Sequence, residues 1–172
     1  MTISEQNKKI KNATACKSGS ITFKSKLEKI CYDTLEQLGF NPQYEPKSFE
    51  LWKSFEPITP FYDQETKKHQ VKRLEKNEDI NIKSKMLIPK TGKVIGIRYT
   101  PDIYFRYQNL DVYIEIKGKE NDVFYIKKKL FRKYLDDLWL NTSQESIYFE
   151  VYTKKQLLQA IDIIKEHAEK IK

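Results

Sequence analysis

Asp102, Glu115 and Lys117 are the residues whose types and spacing suit a reaction. They lie on two segments, Tyr99-Thr100-Pro101-Asp102-Ile103-Tyr104-Phe105 and Val112-Tyr113-Ile114-Glu115-Ile116-Lys117-Gly118, that alternate as strands do. Asp102, Tyr104 and Arg106 point one way and Ile103, Phe105 and Tyr107 the other, while Tyr113, Glu115 and Lys117 oppose Val112, Ile114 and Ile116. Each strand then has one apolar face and one face carrying charge. A hairpin turn centred between Gln108 and Asn109 sets Asp102 directly opposite Glu115, where cross-strand Cβ atoms lie roughly 4.5–5.5 Å apart.

Carboxylates that close repel unless something neutralises them. A divalent cation does so, and oxygen ligands at this spacing suit Mg²⁺ or Mn²⁺. Lys117 shares the face of Glu115 and can reach an attacking water or a phosphate. The chemistry that asks for this set is phosphodiester hydrolysis: the metal polarises the phosphoryl oxygen and acidifies the water, and the lysine orients that water or stabilises developing charge. The alternative is a cross-strand salt-bridge pattern on a solvated sheet face. Glu-x-Lys also occurs at Glu45/Lys47 and Glu65/Lys67; of the three, the Glu115/Lys117 pair sits on an apolar-alternating strand beside an aspartate at matching height.

Pro101-Asp102 followed, thirteen positions after the aspartate, by Glu115-Ile116-Lys117 resembles the signature of the PD-(D/E)-x-K nuclease superfamily. Within it the chain is similar to phage endonuclease I and Holliday-junction-resolvase-like endonucleases of phages or mobile elements, and around Tyr-Thr-Pro-Asp to TnsA-type transposon nucleases. The resemblance implies a restriction-endonuclease-like α/β core with a central mixed β-sheet flanked by helices. It implies DNA as substrate, branched or junction DNA in particular, and a homodimer, since junction cleavage needs two coordinated sites. It also implies Mg²⁺ or Mn²⁺ held by Asp102, Glu115 and the Ile116 backbone oxygen, with Lys117 acting on the water. A glutamate on the first helix often completes such a site, which points to Glu28. Two alternatives of other classes are a nucleic-acid-binding module that keeps the fold without cleaving, and a transposase nuclease subunit that needs a partner.

The elements that must position these residues can be read in order. At 172 residues the chain has one domain's worth of sequence. A net charge of +8 and a pI near 9.2 favour a polyanionic partner, and 39% hydrophobic residues exclude a basic disordered tail. Cys16 and Cys31 match no zinc or redox spacing and read as reduced thiols of a cytoplasmic protein. No apolar run reaches membrane-spanning length. Residues 1–24 read as a basic flexible arm that can follow a phosphate backbone, or as a frayed terminus; residues 25–172 read as a single nuclease domain.

From Ser25, Leu27, Ile30, Cys31, Leu35 and Leu38 recur at helical spacing, and Gly39 stops the helix. Ser25-x-x-Glu28 fits a capping box, which gives Glu28 a structural role as well as the catalytic one the resemblance implies. Gln43 to Leu51 reads as an edge or irregular strand because of Pro42 and Pro46. Residues 52–83 read as a charged insertion, with a short helix over Asp63–Glu78, that is mobile or packs on DNA or on a second subunit. Met86-Leu87-Ile88 and Val94-Ile95-Gly96-Ile97 read as a hairpin about Pro89–Lys93, with Gly96 at a bulge or bend. Asp122 caps a long helix to about Leu140. The cations Lys127, Lys128, Lys129, Arg132 and Lys133 on it, with Lys119 before it, suit phosphate contacts. Ile147–Tyr152 reads as a covered strand and Thr153 as the cap of a last helix.

Overall fold

The computed structural model describes residues 15–73, 78–118 and 122–171, the side chains of 68–73, 78–82 and 122 excepted. The elements in order are β1 (Cys16–Ser18), β2 (Ile21–Phe23), α1 (Lys26–Gln37), β3 (Gln43–Tyr44), β4 (Phe49–Trp52), β5 (Phe61–Arg73), β6 (Glu78–Lys90), β7 (Ile97–Tyr99), β8 (Ile103–Tyr107), β9 (Leu110–Ile116), α2 (Asp122–Thr142), β10 (Ser146–Val151) and α3 (Lys154–Lys170). The fold is mixed α/β. The chain divides into a larger unit, formed before Trp52 and after Ile97, and a smaller one of Trp52–Ile97.

The larger unit is built on a four-stranded mixed sheet of order β10-β9-β8-β3. The β8–β9 hairpin closes over Gln108 and Asn109, with Gln108 in the left-handed region at φ 55°. Its register sets Ile103 opposite Ile114 and Tyr104 opposite Tyr113, as the alternation predicts, so Asp102 and Glu115 occupy the next rung. β10 joins β9 in parallel, pairing Glu150 with Glu115, and the long crossover that such pairing requires is α2. β3 closes the far edge, Tyr44 opposite Ile103.

Helices cover both faces of this sheet. On one, Ile103, Phe105, Val112, Ile114 and Ile116 pack with Cys31 and Leu35 of α1 and Leu157, Ile161 and Ile164 of α3. On the other, Tyr113 packs with Phe124, Phe131 and Leu135 of α2, and with Phe49 and Tyr99. The face expected to be charged is therefore an aromatic second core, with Asp102 and Glu115 at one end and Asp111 at the other. β9 is buried along its whole length. Ser25 and Thr153 cap α1 and α3, each side chain accepting the N–H three residues on. No described helix is long and apolar enough to cross a membrane.

Four expectations need correction. Residues 16–23 are not part of an arm: β1 and β2 form a hairpin turning at Ser18-Gly19-Ser20, with Gly19 at φ 55°, and Phe23 is fully buried in the α1–α3 core. Arm residues 1–14 lie outside the described residues. Gln43–Leu51 is not one strand, because Glu45 at φ 45° and Pro46 separate β3 from β4. Within the smaller unit the segment expected to be a charged helix is a long hairpin, β5 pairing with β6 from Phe61↔Lys90 to Arg73↔Glu78. Met86-Leu87-Ile88 pairs back to Glu65-Gln64-Asp63 rather than forward, and Val94 instead bridges Phe55. Gly96 allows a close backbone approach there: a Cβ on it would stand 2.5 Å from the Trp52 carbonyl oxygen and 2.9 Å from Ser54 N.

Candidate active site

The acids are positioned by the end of the hairpin. Asp102 precedes β8, and its backbone carbonyl accepts the Glu45 N–H at 2.9 Å; its side-chain Oδ2 accepts the Ile116 N–H at 2.7 Å. Ile116 itself is buried. Glu115, at 2% exposure, accepts the Tyr99 hydroxyl on Oε2 at 2.5 Å, and that hydroxyl also lies 3.1 Å from the Tyr148 hydroxyl. Oε1 of Glu115 is ion-paired with Lys117.

Burial, and then the Glu115 charge, push the Asp102 carboxyl up to about 8, against the Ile116 N–H and Lys117, which favour the charged form. Functional sites and structural ion-pair networks both hold a carboxyl this far from its ordinary value. Cys31 beneath it is pushed up to about 12, chiefly by burial and then by Glu28 and Asp102, so this thiol is inert.

Glu28 sits within electrostatic reach of Asp102, but its oxygens are engaged elsewhere. Oε1 accepts the Ser25 hydroxyl at 2.9 Å, and Oε2 accepts the Lys24 N–H at 2.9 Å and the Tyr44 hydroxyl at 2.6 Å. The Ser25 half of the capping box forms, its Oγ accepting the Glu28 N–H, while the Glu28 carboxylate reaches back to the Lys24 N–H and the Ser25 hydroxyl instead of the Ser25 N–H and ties α1 to β3. Among the described residues, no three His, Cys, Asp or Glu side chains converge as a metal-holding group.

Of the six expected phosphate-binding cations, Lys119 lies outside the described residues. Lys117 and Lys128 both lie over the Phe124 ring, at 4.5 and 5.5 Å, which brings the first turns of α2 against the acidic end of the sheet. Lys128 is ion-paired with Glu150 at 3.0 Å. Lys129 lies over Tyr125 at 4.3 Å, and Lys133 pairs with Asp137. Lys129, Arg132 and Lys133 are exposed and share a stripe at i, i+3 and i+4; Lys127 is half-buried.

Sequence reasoning missed Glu150 and Tyr99. Glu150 extends the row Asp102, Glu115 across a third strand, and Tyr99 holds Glu115. The signal for Glu150 was the matching Tyr-x-Glu of Tyr113/Glu115 and Tyr148/Glu150, which predicts in-register neighbours once the strands run parallel. No family model, no curated protein and no solved structure matches this chain.

Proposed function

We propose that this chain is a divalent-metal-dependent endonuclease with a restriction-endonuclease-like core, hydrolysing DNA phosphodiesters at branched or junction sites as a homodimer. The observation that carries the reading is the rung of two buried carboxylates, Asp102 and Glu115, with Lys117 ion-paired to the second and the Asp102 carboxyl raised by burial beside it.

The donor set fits Mg²⁺ or Mn²⁺: both side chains offer hard oxygen donors, and Mg²⁺ is commonly held by only one or two carboxylates, with water and substrate phosphate completing its shell. Asp102, Glu115 and the Ile116 carbonyl oxygen would hold it. When bound, the ion supplies Lewis-acid polarisation of the phosphoryl oxygen and a water of lowered pKa.

The chain's own residues do the rest. Tyr99 and the Ile116 N–H fix the two carboxylates in orientation. The Lys117 ammonium, a quarter exposed while its Glu115 partner is buried, faces the mouth of the site, where it hydrogen-bonds the attacking water or a non-bridging phosphate oxygen. Glu28 acts through position and charge, anchoring α1 to β3 and adding to the field at Asp102. Lys129, Arg132 and Lys133 offer phosphate contacts along the exposed face of α2.

The test is cleavage of a four-way DNA junction, a matched linear duplex and a single strand with Mg²⁺, Mn²⁺ or chelator. Metal-dependent cutting with the junction preferred supports the reading. Salt-sensitive binding of all three without products would replace it with a binding module.

A further inference from the structure

A cavity of about 650 Å³ opens on the α2 face of the sheet, lined by residues of β8, β9, the C-terminal half of α2 and the Gln43–Phe49 segment. This is the volume of a ligand site, far above that of a packing defect. Four aromatic side chains, Phe49, Tyr104, Tyr113 and Tyr134, form much of its wall. They hold one another: Tyr104 and Tyr113 lie 5.2 Å apart at 35°, and Phe49 meets Tyr113 and Tyr134 at 5.6 and 5.3 Å.

Neither Asp102 nor Glu115 lines the cavity, but its wall begins beside them in the chain and on the sheet. Pro101, on its wall, directly precedes Asp102, and the Tyr104–Tyr113 rung is the next on the same face after Asp102 and Glu115. Two residues along a strand is about 7 Å, within the span of one nucleotide. Polar groups are few: the Gln43 amide and Lys47, together with a Gln144 amide whose nitrogen already donates to the Asn109 and Glu145 carbonyls and a Thr142 hydroxyl that donates to the Leu138 carbonyl. Asp111 is already engaged by the Tyr104 hydroxyl at 3.1 Å and by Arg106 at 3.7 Å. Tyr113, only 5% exposed, lines the cavity. An aromatic wall with a few polar groups and a lysine suits a planar heteroaromatic ring carrying a phosphate.

We infer that this cavity takes an unstacked nucleobase from the polynucleotide whose phosphate lies at Asp102 and Glu115, an inference that rests on the nuclease reading above. Stacking on tyrosine and phenylalanine is tolerant of base identity, so the pocket selects DNA whose bases leave the stack easily, at mismatches or branch points.

The experiment is photocrosslinking of the full chain, in chelator, to a duplex carrying one 5-iodouracil opposite guanine, with the crosslinked peptide mapped by mass spectrometry. The halogenated base reacts with the aromatic ring on which it lies. Crosslinks are expected at Tyr134, Tyr104, Tyr113 or Phe49. They should persist in Asp102→Asn and fall at least tenfold in Gln43→Trp, which fills the cavity from an exposed strand position. Crosslinks confined to surface aromatics such as Tyr125, or unchanged yield in Gln43→Trp, overturn the pocket. Cleavage of the same duplex with Mn²⁺ is scored separately: pocket crosslinks without cleavage keep the base site and sink the nuclease, whereas cleavage without pocket crosslinks does the reverse.

Discussion

Asp102 accepts the backbone N–H of Ile116 at 2.7 Å, which fastens the carboxylate that starts one strand to the residue following Glu115 on the next. The bond sets the separation of the two acids and keeps Asp102 partly compensated in a site otherwise short of water. The cost of burying the carboxyl beside Glu115, which this bond only partly offsets, appears in its preference for its proton.

That preference makes stability depend on pH in a stated direction. Because the folded carboxyl titrates near 8 and the unfolded one near its ordinary value, the folded state binds the extra proton between these limits. The contribution of Asp102 is therefore fully present below about pH 4 and is lost as pH rises towards 8, with a slope of at most about 1.4 kcal/mol per pH unit. Asp102→Asn removes it. Urea melts of metal-free wild type and Asp102→Asn across this range should show the variant gaining relative stability as pH rises; parallel curves would contradict the coupling.

Tyr99 is expected to act as a positioning residue. In Tyr99→Phe the buried Glu115 Oε2 loses its donor, a loss of about 1–3 kcal/mol, and the carboxylate is less well oriented. Calorimetric titration should show weaker Mn²⁺ binding, and thermal melts should show part of the lost stability regained when Mn²⁺ is added. Unaltered Mn²⁺ affinity would remove Tyr99 from this role.

Glu28 and Ser25 form one cap, and their variants separate structure from chemistry. Ser25→Ala should cost about 1 kcal/mol through loss of the N-cap. Glu28→Gln should also destabilise, through its charged hydrogen bonds to Lys24 and Tyr44, while leaving DNA cleavage within a few-fold of wild type below the melting temperature. A hundredfold loss of rate with an unchanged melt would instead put Glu28 among the groups that serve the metal.

In the smaller unit, Gly96→Ala forces a Cβ against the Trp52 carbonyl and the Ser54 nitrogen. A loss of about 1–3 kcal/mol is expected, read in the denaturant midpoint. No change would mean that the backbone around Gly96 shifts without cost.

The parts of the fold that sequence exposes are those in which burial imposes a period. The β8–β9 register follows from alternation and a two-residue turn, and it places Asp102 against Glu115 as expected. The capping box at Ser25 and Glu28 and the cap at Thr153 mark helix starts through local hydrogen bonds alone. The β5–β6 hairpin was illegible for the opposite reason. Residues 61–67 are exposed, so neither face of β5 there is selected for apolar residues, and a charged strand without a buried face carries no period to distinguish it from a charged helix. The β1–β2 hairpin has Gly19 in its turn and one anchoring aromatic, Phe23, too brief a signal against a basic background. Tyr99 as a partner of Glu115 depends on the tertiary placement of β7, which no local pattern encodes.

The most direct measurement is single-turnover cleavage of the DNA substrate at saturating Mn²⁺ by wild type, Asp102→Asn, Glu115→Gln and Lys117→Met, each shown folded by circular dichroism. Losses on the order of 100- to 1,000-fold are expected for each variant, as when a group stabilising the transition state is removed, with DNA binding in chelator retained. Cleavage at the wild-type rate by Asp102→Asn or Glu115→Gln would contradict the assignment of this rung as the hydrolytic site.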